Sequence, residues 1–248
     1  MITLITSTQN KHVKEWKKLH RRKYREKTGS FLIEGEHLIE EAYKTDQHFE
    51  ALILEETKEN PGWLEDSFVY RVSKEVFQEI AQTETPQGIL AVLRRKKMQA
   101  KTNHSVLLID CVQDPGNLGT LIRTADAAGF SKVVLGKGTV DLYNDKVIRA
   151  TQGSLFHLPI EQKDLEKEIP ALKKEGFSIW ATTLQRAKNY IDIMPAEKTA
   201  IILGNEGRGV NPAFIEKADE LVKIPIFGKA ESLNVGVAGG ILMYYIRN

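Results

Sequence analysis

The chain has 248 residues, 42% of them hydrophobic and 27% charged, with a formal net charge of +2. That composition is globular, which excludes a disordered chain, collagen and a fibrous repeat, and the length allows one large domain or two small ones. The longest charge-free stretch, residues 232–246, has only about 12 mostly apolar residues where a bilayer span needs roughly 20, and one cysteine excludes an intrachain disulfide and a multi-cysteine zinc site.

The N-terminal run MITLITSTQNKHVK has no preceding basic region and too short an apolar stretch for a signal peptide. The expectation is a cytoplasmic, soluble protein with no membrane partner. Charge is unevenly spread: residues 11–27 carry nine Lys/Arg against two Glu, residues 28–93 carry four bases against fourteen acids, and Arg94–Lys101 adds five bases with no acid. The basic block has Val13, Trp16, Leu19 and Tyr24 at spacings of three to five, the pattern of a helix with a sparse apolar stripe. Such a helix fits a polyphosphate partner, because neutralising phosphates releases counterions, and fits equally a solubilising extension. The acidic segment speaks against phosphate binding by broad electrostatics there.

The pattern next predicts a strand at Phe31–Ile33, a helix at Glu36–Tyr43, strands at Ala51–Leu54 and Phe68–Val72, a helix capped by Ser73, and a strand at Gly88–Leu93. This is a small α/β unit, and Arg94–Asn103, without apolar periodicity, reads as a linker. Beyond it, β-branched apolar runs recur at Val106–Ile109, Lys132–Leu135, Ser178–Ala181, Ala200–Leu203 and Leu221–Ile224. Helical patterns alternate with them at Leu118–Ala128, Leu165–Lys174, Pro212–Ala218 and Val235–Ile246. Alternation of this kind predicts a mostly parallel sheet covered on both faces, whose ligands bind past the carboxyl ends of the strands. The expected division is a basic helical extension over 1–27, a small α/β domain over 28–96, a linker over 97–103 and a second domain over 104–248.

Three loops after those strands carry chemistry. In the first, Asp114-Pro115-Gly116 makes a turn, Asn117 is expected to cap a helix, and Arg123 follows. Free N–H groups at a helix start and an arginine fork can hold a phosphate. The second, Gly204 to Val210 (GNEGRGV), has three glycines that allow close backbone approach to a ligand. Its glycine order is not the dinucleotide fingerprint, and no P-loop Gly-Lys-Ser/Thr is present. Glu206 could accept hydrogen bonds from a nucleoside or from Arg123. The third places Ser232 and Asn234 ahead of a helix containing Gly236, Gly239 and Gly240. Each interior glycine costs about 1 kcal/mol relative to alanine, so another backbone or a ligand should lie against that helix. Its apolar residues run all the way round, which predicts burial inside the chain or against a second subunit.

Taken together, Asn117-x-Gly119-x-x-x-Arg123-Thr124-Ala125, Leu203-Gly204-Asn205-Glu206-Gly207-Arg208-Gly209 and Ile224-Pro225-Ile226 with Ser232-Leu233-Asn234-Val235 resemble the SpoU/TrmH family of RNA 2′-O-ribose methyltransferases. The three motifs stand in the family's order, and the resemblance covers about 102–248. Residues 28–93 are similar, more loosely, to the family's ribosomal-protein-like substrate-binding domain. The resemblance implies S-adenosylmethionine as methyl donor, a homodimer, a C-terminal trefoil knot and a tRNA or rRNA substrate. The strand pattern alone predicts an ordinary open sheet, since threaded connections are otherwise nearly absent.

By resemblance, main-chain groups at Gly204, Ile224 and Leu233 hold the donor, with Leu203 and Thr183 as further candidates. Arg123 positions the ribose hydroxyl and the neighbouring phosphate, and Asn117, Glu206, Ser232 and Asn234 orient Arg123 and the ribose. A guanidinium stays charged at neutral pH, so stabilising the developing alkoxide is the physically safer role for Arg123 than that of a free base. Methyl transfer from a sulfonium needs no metal, and His12, His20, His37, His48, His104 and His157 show no metal-ligand spacing. Cys111 offers a rival nucleophile but has no neighbouring base in sequence, which favours an inert thiol. The competing classes are a catalytically silent RNA-binding protein of the same fold and a nucleotide-dependent oxidoreductase, the latter disfavoured by the glycine order.

Overall fold

The computed structural model describes residues 4–63, 69–99 and 104–248. Two compact units emerge, one formed by residues 1–97 with 143–156, the other by residues 98–142 with 157–248.

The first unit begins with β1 (Leu4–Ile5), α1 (Lys11–Lys18), α2 (Arg22–Thr28), β2 (Ser30–Glu34), α3 (Glu36–Lys44), β3 (His48–Glu55), β4 (Val69–Val72), α4 (Lys74–Ile80) and β5 (Ile89–Arg94). Its strands form a mixed sheet in the order β1-β4-β3-β5-β2. Ser73 caps α4 by accepting from the Val76 amide, as its sequence predicts. Phe68, assigned to a strand by its pattern, and residues 100–103 of the expected linker lie outside the described residues.

The basic block forms two helices rather than one, and neither is a loose extension. Val13, Trp16 and Leu19 are buried with Ile5, Val72 and Phe77 in one core. Arg25 is buried too, and its guanidinium donates to the carbonyls of Leu19 and His20, which closes the break between the helices.

The second unit starts with β6 (Ser105–Ile109), α5 (Pro115–Ala127) and β7 (Lys132–Leu135). The chain then gives α6 (Asp145–Thr151) to the first unit. It continues with β8 (Ile160–Gln162), α7 (Leu165–Lys174), β9 (Ser178–Thr182), β10 (Lys188–Asn189), β11 (Thr199–Leu203), α8 (Pro212–Ile215), β12 (Glu220–Lys223) and α9 (Val235–Arg247). Among the described residues these strands make a seven-stranded sheet in the order β10-β12-β9-β11-β6-β7-β8, parallel at every pairing. Both central strands, β6 and β11, are buried along their whole length, which is why they read as uninterrupted apolar runs.

Helix α9 lies on α5 and β11, and its glycines make that approach possible. A side-chain carbon at Gly239 would come within 2.4 Å of Leu121 Cδ2 and 2.8 Å of Leu203 Cδ1. Gly236, Gly239, Leu242, Met243 and Ile246 are buried. The opposite face is not: Val237, Ile241 and Tyr244, spaced four and three residues apart, stay exposed. Full burial within this chain, one of the two expectations for α9, is therefore not what the fold provides.

Candidate active site

The sheet places its functional loops where a parallel sheet must, beyond the carboxyl ends of the strands. Past β9, β11 and β12 lies a cavity of ≈ 690 Å³, within the range of small-molecule sites. Its walls come from residues 182–185 at and beyond the end of β9, 203–210 at and beyond the end of β11, 222–224 and 226 at and beyond the end of β12, and 231–235 leading into α9. Leu203, Val210, Ile224, Ile226 and Leu242 supply apolar surface, while loop main chain and short polar side chains supply hydrogen-bonding groups. Thr183, Leu203, Gly204, Ile224 and Leu233 all line it, as do Glu206, Ser232 and Asn234. Arg123 and Asn117 are not among its walls.

Gly204 sits where the loop after β11 turns back on itself. A side-chain carbon there would fall 2.2 Å from both the Gly209 carbonyl carbon and the Val210 nitrogen. The loop is closed by reciprocal hydrogen bonds, Asn205 N to Gly209 O at 3.0 Å and Gly209 N to Asn205 O at 2.9 Å, with Gly209 at a φ of 71°. Asp110, buried at the end of β6, accepts from the Asn211 amide at 2.7 Å and anchors the far side of the loop. Burial pushes its carboxyl above the usual range, and the Asn211 amide only partly offsets that.

Asn117 does not cap α5. The helix starts at Pro115, a proline being preorganised for the first helical position, and the cap is Asp114, whose side chain accepts from the Asn117 amide at 2.7 Å. The Asn117 side chain is thereby free to link the other two loops. Its Nδ2 donates to Glu206 Oε1 at 3.1 Å, and its Oδ1 accepts from Asn234 Nδ2 at 2.9 Å. Asn234 in turn caps α9 by accepting from the amides of Gly236 and Val237. One side chain from each loop thus meets in a single chain of hydrogen bonds.

No hydrogen bond joins Glu206 to Arg123 among the described residues. Its carboxylate takes the amides of Gln113 at 3.2 Å and Asp114 at 3.0 Å, and the side chains of Asn117 and Asn205 at 3.1 and 3.4 Å. Burial works to raise its pKa, yet the bonds from Asn117 and from the Glu206, Asp114 and Gln113 amides outweigh that and hold the carboxyl below its ordinary value. The ionised form therefore stabilises the joined loops at neutral pH, and this contribution is lost as pH falls from about 4.3, the ordinary glutamate value, through the lowered folded value. Glu206→Gln should lower the thermal midpoint at pH 7, with the gap to the unsubstituted chain closing only as pH is brought below about 4. A gap that stays constant with pH would contradict that role.

Arg123 lies on the exposed face of α5 and makes no ion pair among the described residues. It stands six residues beyond Asn117, about 9 Å along the helix axis at ~1.5 Å per residue. None of Asn117, Glu206, Ser232 or Asn234 hydrogen-bonds to it. Cys111 adopts a φ of 59° and is half-buried, with the Gln113 side-chain Nε2 donating to its sulfur at 3.9 Å. Among the described residues, no group of three His, Cys, Asp or Glu is placed to hold a metal ion.

Sequence reasoning missed Asp114, Asn205 and Asp110 as bracing residues. The Asp-Pro-Gly turn was a visible signal for the first. The other two act through contacts 94 and 101 residues apart in sequence, which no local pattern reveals.

Known proteins of this form carry the donor that such a cavity fits. An rRNA methyltransferase from Sinorhizobium meliloti with bound S-adenosylmethionine superposes with a TM-score of 0.88 at 30% identity, covering 99% of this chain and 97% of that one. A solved RNA 2′-O ribose methyltransferase matches at TM-score 0.84 and 31% identity over 98% of each chain. The 23S rRNA (guanosine(2553)-2′-O)-methyltransferase RlmP of Bacillus subtilis (strain 168) is 48% identical over 244 residues, 98% of both chains. The fold is that of an RNA 2′-O-methyltransferase that uses S-adenosylmethionine. Residues 104–244 match the SpoU rRNA methylase family and residues 10–91 an MRM3-like substrate binding domain. The chain belongs to the SpoU rRNA methylase family.

Proposed function

We propose that this chain methylates the ribose 2′-hydroxyl of a guanosine in 23S ribosomal RNA. The single observation that carries the choice of substrate is the 48% identity to RlmP along almost the whole of both chains, substrate-binding unit included. When bound, S-adenosylmethionine supplies an electrophilic methyl on a positively charged sulfur that leaves as a neutral thioether. Gly204, Ile224 and Leu233 hold the donor through main-chain groups, with Leu203 and Thr183 completing the wall; their shared cavity supports this. Asn117, Glu206 and Asn234 brace the three loops, and Ser232, exposed at the rim, faces the ribose. Arg123 orients the adjacent phosphate and stabilises the negative charge that grows on the 2′-oxygen as its proton departs to solvent.

The chain works as a homodimer in the cytoplasm, where ribosomal RNA is found. The exposed Val237, Ile241 and Tyr244 stripe on α9 supports a second copy there, since it is the face that a single chain leaves in water. The trefoil knot of the family is part of the same reading. No helix of the described residues is long and apolar enough to cross a membrane.

The direct test is transfer of tritiated methyl from S-adenosylmethionine to unmodified transcripts. Label is expected in 23S ribosomal RNA, in alkali-resistant dinucleotides, because a methylated 2′-oxygen blocks backbone cleavage. Label released as a methylated base, or found only in transfer RNA, would refute the reading.

RNA recruitment falls to the first unit. Lys11, Lys14, Lys23 and Lys27 are exposed and form no ion pair among the described residues, whereas Lys17 is paired with Glu79 and Arg22 with Glu26. Deleting 11–27 would remove Val13, Trp16 and Leu19 from the core, so charge must be removed without the helices. Replacing the four free lysines by glutamine should weaken RNA binding and reduce the salt slope by about 3, at ~0.7–0.9 per phosphate contact. An unchanged slope would return the block to a purely structural and solubilising role.

A further inference from the structure

The segment joining β12 to α9 leaves the cavity wall at Ile226 and rejoins it at Glu231. The four residues between, 227–230, are all exposed. Phe227 is 96% exposed, whereas Phe31, Phe77, Phe130, Phe156, Phe177 and Phe214 are buried. A side-chain carbon on Gly228 would meet nothing within 4 Å, so the tip stands clear of its own chain. An isolated exposed hydrophobic residue is ordinary on a protein surface. This one is set apart by its position one residue beyond the donor cavity and by the charges around it. Arg208 and Lys223 line the cavity, Lys229 is two residues further along the tip, and none of the three has an ion pair among the described residues. A bare aromatic face between free cations matches an unpaired nucleotide, whose base stacks while its phosphates meet the cations.

We propose that Phe227 is the surface on which an unpaired nucleobase of the substrate RNA stacks when its ribose is delivered to the donor cavity. The inference rests on the RNA methyl-transfer reading and deepens it by naming what orients the nucleotide. Phenylalanine has no hydrogen-bonding tip, so it reads the presence of a splayed base rather than its identity. A base-paired nucleotide, its faces covered by its neighbours in the stack, would find no partner at this position. Access would then be restricted to loops, bulges and strand ends.

Two readouts test it on the full-length protein. In methyl transfer to unmodified 23S ribosomal RNA transcript, Phe227→Ala should raise KM for RNA roughly 10- to 100-fold, the loss of one aromatic–base stack. Donor affinity and sedimentation should be unchanged. Phe227→Trp should restore KM, and Phe227→Leu, apolar but not aromatic, should not. Independently of turnover, the same transcript should quench the added indole fluorescence of Phe227→Trp beyond the quenching of the unsubstituted protein. An Ala variant with KM within twofold of the unsubstituted protein, a Leu variant that restores KM, or no added quenching would overturn the proposal. A change in sedimentation with Phe227→Ala would also overturn it, by showing that a second copy covers this residue. If the unsubstituted protein transfers no methyl to the transcript while the indole is still quenched, the stacking surface stands and the substrate reading fails.

Discussion

Arg123→Ala is expected to lower the rate of methyl transfer at least ~100-fold, the scale set by removing one positioned donor to a developing oxyanion. Donor affinity should be nearly unchanged. The expectation follows from where Arg123 stands. It projects from the exposed face of α5, makes no ion pair among the described residues and lies outside the walls of the donor cavity. Its removal therefore creates no hole and orphans no partner, and exposed positions of this kind shift stability by only about 0.5 kcal/mol. A large loss of rate with little change in fold must then come from the chemical step or from placement of the phosphate beside it. Arg123→Lys keeps the charge but not the planar fork, and should recover only part of the rate. Single-turnover kinetics with saturating donor, beside a calorimetric titration of the donor, separates the two effects. Substantial turnover by the alanine variant would remove Arg123 from the chemistry.

Gly204→Ala should damage both stability and donor binding. The added carbon would overlap main-chain atoms of Gly209 and Val210 at 2.2 Å, and main chain cannot rotate aside as a flexible side chain does. Overpacking typically costs ~1–3 kcal/mol, and the upper end applies here. At about 2–4 °C per kcal/mol, that lowers the thermal midpoint by roughly 6–12 °C. Relief would require opening the Asn205–Gly209 pairing and moving the cavity wall, so donor affinity should fall at least ~10-fold. Gly207→Ala is the control, because a side-chain carbon there meets only Asn205 Oδ1 at 3.8 Å. Thermal melts and donor titration of the two variants give the comparison. Wild-type behaviour of Gly204→Ala would show that the loop is not the rigid wall described.

The parts of this fold that are legible in sequence are the strands written as apolar runs and the helices whose apolar residues recur every three or four positions, as Leu165, Ile169 and Leu172 do. β7 and α7 match their predicted limits, and β6, β9, β11 and β12 differ by one residue at one or both ends. β10 is two polar residues, Lys188 and Asn189, and β1 is two residues at the sheet edge, so neither leaves a periodic signal. α6 was missed because most of its seven residues are polar or small, with Val147 and Ile148 as its apolar contacts. The glycines of the last helix did announce close packing, and Leu121 and Leu203 are what they receive. The asymmetry of that helix was not legible, since a sequence that is apolar all round cannot say which side the same chain covers. The site residues were found through their motifs, but their connections were not. The motif offers Glu206 to Arg123 or to a nucleoside, and it cannot show that the carboxylate also holds the turn before α5, about 90 positions earlier.

The turns after β6, β11 and β12 are joined through Asn117, and we propose that they form one site in which main chain holds the donor and Arg123 faces its reactive end. A crystal structure with S-adenosylhomocysteine, the demethylated donor, tests it most directly. The adenosine should lie between the main chain of residues 204, 224 and 233, with the sulfur directed toward a guanidinium of Arg123 from the same chain or a second copy. Density for the ligand elsewhere, or in the cavity with its sulfur turned away from every Arg123, would contradict the account.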